Sequence, residues 1–189
     1  MPNSMKTRLA IFLIVVATGL QAPAHAQKLA VSTNALDYAD FGTLNAEVSY
    51  SLSRHWGLTA GVRYNPFMYT SDGHELSARQ RAFSAGTRYW PWHVFSGWWF
   101  SGKVQYQEYN RGGITSLQTR EGDRYGVGAG AGYTYMLTPH LNIEFGLGGW
   151  LGLDVFTEYD CPVCGITQAS GRRFFILPND LLIALSYVF

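Results

Sequence analysis

Beyond residue 27 the chain has no stretch both long and apolar enough for a membrane-spanning helix, which needs about 20 such residues. It also lacks an excess of charge of either sign: the net charge of +1 gives no basic surface for nucleic acid and no acidic tail, so nucleic-acid binding has no support. Cysteine is scarce, with two residues that fall in one short motif. A hydropathy scan would class such a chain as soluble. Its composition argues otherwise: aromatics make up 15 % of it, with 12 Tyr and 6 Trp, and 21 Gly are scattered through alternating segments rather than gathered in linkers. Transmembrane strands read this way, because each shows its apolar residues only at every second position.

The first residues carry Lys6 and Arg8, an apolar run from Leu9 to Val16 extended to Leu20, and a small-residue exit at Ala24-His25-Ala26. That order reads as a secretory signal over residues 1–26, cut before Gln27. The remaining 163 residues (189 minus 26), 27–189, suffice for one domain and not two.

Period-two alternation follows. It is clearest over Tyr125–Leu137, where Tyr125, Val127, Ala129, Ala131, Tyr133, Tyr135 and Leu137 alternate with Gly126, Gly128, Gly130, Gly132 and Thr134. It resumes after Thr138-Pro139-His140 with Leu141, Ile143, Phe145, Leu147, Leu151, Leu153 and Val155, and it holds over residues 44–52, 56–65, 79–90 and 97–109. A less regular strand near Leu29–Leu36 and a last one near Leu181–Phe189 bring the count to eight, an even number that suits closure. Connections at 53–55, 92–96 and 138–140 are tight, whereas 68–78, 110–122 and 157–173 read as long loops, with 37–42 a short exception. The expected fold is an all-β, eight-stranded, antiparallel, up-and-down transmembrane β-barrel in the bacterial outer membrane, with tight turns periplasmic and long loops external. Aromatics fall at two heights: Tyr50, Trp56, Tyr89, Trp98, Tyr135 and Tyr187 near one end of their strands, and Tyr64, Tyr106 and Tyr125 near the other. The final strand ends on Tyr187 and Phe189, an aromatic carboxyl terminus like the signal read by the outer-membrane assembly machinery.

With the greasy face toward lipid, Glu47, Arg63, Arg88, Lys103, Glu144 and Asp154 point inward, three acids and three bases able to neutralise one another. Side chains just fill an eight-stranded interior, so these residues, with Trp150, read as a polar plug and no open pore is expected. An ion or proton path is the competing reading of the same residues. The glycines at 126–132 repeat inside a strand and do not make a phosphate loop, which must open a helix; they leave room for lumen side chains such as Trp150.

One compact motif remains, Cys161-Pro162-Val163-Cys164-Gly165 in the last long loop. It can be a local disulfide favoured by export, half of a zinc site helped by Asp160 or His74, or a redox pair, although the βαβ setting of a redox pair is missing. For an outer-rim enzyme the sole candidate is His74 with Asp72, Ser71 and Ser77, while His55, His93 and His140 read as solvated turn residues. No catalytic constellation converges in the sequence, so no enzyme, cofactor or metal is expected.

The mature chain resembles a family of small outer-membrane barrels of Bacteroides-like bacteria. The resemblance is carried by Thr33-Asn34-Ala35-Leu36, by Trp56 followed by Tyr64-Asn65-Pro66, by Arg88-Tyr89-Trp90, by Tyr159-Asp160-Cys161-Pro162-Val163-Cys164-Gly165 and by the terminal Tyr187-Val188-Phe189. It implies a location and a fold but no activity. The chain departs from that pattern where Ala35-Leu36-Asp37-Tyr38 replaces a more apolar run. The expected role is structural, or an interaction with an envelope or fimbrial partner through external loops. The expected surroundings are outer-membrane lipid. A metal- or small-ligand-binding barrel using Cys161 and Cys164, or an enzyme around His74, are the alternatives.

Overall fold

Alternating residues close here into a ring. A computed structural model describes residues 27–71, 74–113, 118–160 and 166–189, so the signal-like segment 1–26 lies outside the described residues. Strands β1 (Leu29–Asn34), β2 (Leu44–Ser51), β3 (Trp56–Asn65), β5 (His74–Tyr89), β6 (Gly97–Gly112), β7 (Thr119–Met136), β8 (Leu141–Tyr159) and β9 (Thr167–Val188) each pair antiparallel with their neighbours. Pairing of β1 with β9, at Val31 opposite Tyr187, closes the eight-stranded barrel. A short β4 (Met68–Ser71) pairs only with β5 and forms a hairpin beyond the wall. The tight turns and both described chain ends lie at one end, called here the short-turn end; the other is the mouth.

Three expectations need correction. The first strand ends at Asn34, not Leu36. The Asn34 side chain accepts from the Leu36 N–H and starts a helical turn, α1 (Ala35–Ala39), which leads through Phe41 and Gly42, both at positive φ, into β2. Second, most of the expected long loops are strand: β6 runs to Gly112, β7 starts at Thr119, β8 reaches Tyr159 and β9 starts at Thr167. Above the apolar belt both faces are polar, so the hydropathy contrast fades while backbone pairing continues. Third, β9 is 22 residues long, with a register shift against β8 between Gly148 and Trp150. Odd residues 181–187 face out below the shift; above it, Phe174 and Ile176 face out and Phe175 is buried. Pro178 sits at this shift, where a missing N–H is tolerated.

The short-turn end is shut by apolar packing. The segment 90–96 folds back into the ring: the Trp90 N–H donates to the His55 carbonyl at 2.8 Å, and the Val94 N–H donates to the Arg54 carbonyl at 2.8 Å. Phe95, at φ 64 and so left-handed like Phe41, turns inward and meets Trp90 edge-on at 5.5 Å. Trp99, Val188 and Ala30 complete the plug. Glycine makes this packing possible. A Cβ at Gly132 or Gly146 would fall 2.3 Å and 2.7 Å from the Trp99 indole, so these positions seat Trp99 rather than Trp150, which Gly128 alone approaches.

Replacing Gly146 by Leu should therefore force Trp99 from its seat and cost about 1–3 kcal/mol, whereas Gly102→Ala, where a Cβ meets nothing within 4 Å, should cost far less. Urea unfolding in detergent, followed by tryptophan fluorescence, measures both; equal midpoints would refute the close seating.

Candidate functional site

Inside the ring, charge is stacked in three tiers. At the lowest, just above the tryptophan plug, Arg88 donates from Nη1 to Glu144 at 2.7 Å and from Nη2 to Glu47 at 2.6 Å. Its guanidinium lies over the Trp99 ring, 4.3 Å from the centroid. Strand alternation delivers these groups: even positions of β5 and β8 face inward, so Arg88 and Glu144 meet across the lumen with side-chain exposures of 5 % and 3 %.

In the middle tier Arg63 reaches Asp37 and Asp180, each at 2.9 Å, and Lys103 pairs with the other Asp180 oxygen. Here α1 has a purpose: it brings Asp37 into the lumen. Asn34 anchors it by donating to the Leu181 carbonyl at 3.0 Å and accepting from the Ile183 N–H at 3.0 Å. These groups leave a cavity of about 80 Å³, room for a few waters.

The highest tier centres on the fully buried Asp154. Tyr109 donates to Oδ1 at 2.8 Å, Arg173 donates to Oδ2 at 2.9 Å, and Arg124 stands 3.5 Å from the same oxygen. Burial and the bond to Asp154 push the Tyr109 hydroxyl up to about 12, so it stays a donor at neutral pH. Trp150 meets Phe175 edge-on at 4.6 Å beneath this cluster. Toward the mouth, Arg111 pairs with Asp40 at 2.5 Å and Arg120 donates to Glu158 at 2.7 Å.

All six lumen residues read from the sequence face inward. They do not balance among themselves, however: Arg63 and Lys103 take partners, Asp37 and Asp180, that alternation did not reveal, and Asp154 is held by Arg124, Arg173 and Tyr109. Extending the parity of β7 by one step past Tyr125 would have found Arg124. Arg173 was hidden by the register shift and Asp37 by the helical turn, whereas Asp180 stands one step before the alternating stretch 181–189, on the inward face of Leu182 and Ala184.

The remaining candidates do not converge. His74 begins β5 opposite Ser71, Asp72 is outside the described residues, and the Ser77 hydroxyl is engaged by Asn110 at 2.8 Å. Cys161 and Cys164 lie outside the described residues. All three turn histidines are more than solvated: the His55 ring bonds the Trp90 carbonyl at 3.0 Å, the His93 ring bonds the Val94 carbonyl at 3.0 Å, and the His140 ring bonds the Val188 carbonyl at 2.9 Å while stacking on Tyr187. Among the described residues, no group of three or more His, Cys, Asp or Glu could hold a metal.

Residues 10–189 match a family described as a protein of unknown function, DUF3575. The chain belongs to that family. No curated protein matches it. Membership agrees with the resemblance drawn from the sequence as far as a family without an assigned function; the barrel gives that family member its architecture.

Removing Arg88 leaves two lumen carboxylates facing each other without a counter-charge. Arg88→Ala should destabilise the barrel by about 3–5 kcal/mol, and Arg88→Lys should recover only part, because an ammonium cannot fork between two carboxylates. Chemical denaturation of the three proteins measures this, and full recovery in the lysine variant would argue against the forked geometry.

Proposed function

We propose that this chain is an exported outer-membrane barrel of a Gram-negative, Bacteroides-type envelope, without catalytic activity, acting as a structural element or presenting its mouth hairpins to an envelope partner. The observation that carries the reading is inside-out polarity. Charge lies in the lumen and is paired there, while Leu58, Val62, Phe83, Phe100, Val104, Val127, Leu147 and Ile183 stand exposed on the outer wall. A barrel dissolved in water has the reverse reason to fold, with its apolar side chains inward.

The height of the apolar wall supports the same reading. Trp56 to Tyr64, Trp98 to Tyr106 and Tyr125 to Tyr135 mark its two edges. Eight to ten residue steps at about 3.3 Å, tilted by about 40°, give roughly 20–25 Å along the axis, which suits the ~25 Å apolar band of such barrels. Immediately beyond Tyr64, Tyr106 and Tyr125 the outward positions become Arg81, Glu108, Asp123 and Arg172. Arg81 pairs with Glu108, whose carboxyl is held below its ordinary range first by that bond and then by the Tyr106 hydroxyl. Aromatic rings followed by charge is the pattern of a lipid–water boundary.

At the opposite edge Tyr187 and Phe189 stand exposed and pack edge-on at 4.8 Å, a fitting handle for the assembly machinery. The lumen is blocked by the tryptophan plug below and by the Asp154 cluster above, so the wall and hairpins, rather than conduction, are the parts available for a role.

Separated outer and inner membranes, run boiled and unboiled on a denaturing gel, should give a faster unboiled band in the outer-membrane fraction. Ala60→Arg and Ala129→Arg, each midway between the aromatic edges, should each cost about 2–4 kcal/mol in lipid. A soluble periplasmic protein that tolerates both arginines would overturn the proposal.

A further inference from the structure

The mouth holds a cavity that the packing of the lumen does not account for. It measures about 240 Å³ and is lined by Tyr109, Arg111, Gln118, Arg120, Arg124 and Glu158, with Thr119 also contributing. Its floor is the aromatic and ionic layer of Tyr109, Asp154, Phe175 and Trp150, so it is a dead end rather than the top of a channel. It is smaller than the roughly 300–1,000 Å³ typical of pockets for drug-sized ligands.

The charges around it do not cancel. Arg111 is matched by Asp40 and Arg120 by Glu158, but Asp154 is shared by Arg124 and Arg173, which leaves four guanidiniums against three carboxylates in this ion-paired group among the described residues. The surplus falls on Arg124. Arg173 and Tyr109 already occupy both Asp154 oxygens at 2.8–2.9 Å, whereas Arg124 approaches that carboxylate only through its Nε, at 3.5 Å and short of a hydrogen bond. The Tyr109 ring holds this guanidinium in place, 3.8 Å from the centroid, and the Phe175 ring flanks it at 5.8 Å. A planar guanidinium with free donors is shaped to take two oxygens of an oxyanion.

We infer that this vestibule binds a compact oxyanion of the phosphate class, held by Arg124 with Arg120 and Arg111 above it. The site opens to the mouth and is walled from the outer surface by the strands, which selects a free anion over a lipid headgroup. The inference needs only the folded barrel and stands apart from the membrane reading above.

Inorganic phosphate is the probe, titrated by calorimetry into the purified full-length protein in a zwitterionic detergent free of phosphate groups, at constant ionic strength set with chloride. The same titration is repeated in phosphatidylcholine nanodiscs. Saturable one-to-one binding is expected in both. Loss of the nanodisc signal alone would mean that lipid phosphate occupies the site and would overturn the choice of a free anion. Arg124→Gln should weaken phosphate affinity at least tenfold and Arg111→Gln less, while Arg81→Gln on the outer wall leaves it unchanged. Each variant is checked for its heat-modifiable band; if Arg124→Gln does not fold, Arg111→Gln decides. Absence of saturable binding to the folded wild type, or equal affinity in a folded Arg124→Gln and the wild type, would overturn the inference.

Discussion

An eight-stranded ring leaves an interior that side chains only just fill, and in this chain the filling is ionic. Every other feature follows from having to satisfy those charges where little water reaches them. Arg88 between Glu47 and Glu144, Arg63 and Lys103 on Asp37 and Asp180, and Asp154 beneath Arg124, Arg173 and Tyr109 are not ornaments on a barrel held by an apolar core. They are its core. Breaking one partner of such a pair costs more than forming the pair returns, because the other charge is then left buried and alone. The lumen thus fixes strand register strongly: a slip by one residue would turn Arg88 and Glu144 outward and bring Tyr89 and Phe145 in.

The short-turn end is held differently. Trp90, Phe95, Trp99 and Val188 exclude water from the bottom of the lumen, and the Arg88 guanidinium rests on the Trp99 face. Low polarity around that pair strengthens the attraction between its charges and raises the cost of leaving either unmet. The glycines at 132 and 146 belong to the same arrangement, since the indole can lie flat against the wall only where no Cβ stands.

Much of this was legible before any coordinates. Alternation within residues 44–65, 79–109 and 125–155 set the number of strands and the face of each residue, because one face is apolar and the other is not. Where that contrast ended, the reading ended with it: residues 110–122 and 157–173 carry polar groups on both faces and looked like loops, although β6 to β9 continue through most of them. The shift near Pro178 reversed the parity of β9 and hid Arg173, while Asp180 stands one step before the alternating stretch 181–189, on the face of Leu182 and Ala184. Asp37 was concealed by a different cause, the capping of α1 by Asn34, which is a side-chain hydrogen bond rather than a pattern. The inward charges were thus found where a regular strand displayed them, and their partners were missed where the backbone departs from regularity or, for Arg124 and Asp180, one step beyond the alternating stretch.

The pairing also has an axial order. The lowest tier has two carboxylates for one guanidinium, the middle tier has two of each sign, and the mouth has four guanidiniums for three carboxylates. Among the described residues the seven bases and seven acids of these tiers balance, yet the two ends differ. Self-neutralisation alone would be met as well by matched tiers. A surplus base at the open end, above the layer of Tyr109, Asp154, Phe175 and Trp150, favours anions there over cations. The surplus acid lies at the closed end, behind the tryptophans, where no solute competes for Arg88. Among the described residues the filling of the barrel is therefore polarised, with its surplus base toward the mouth.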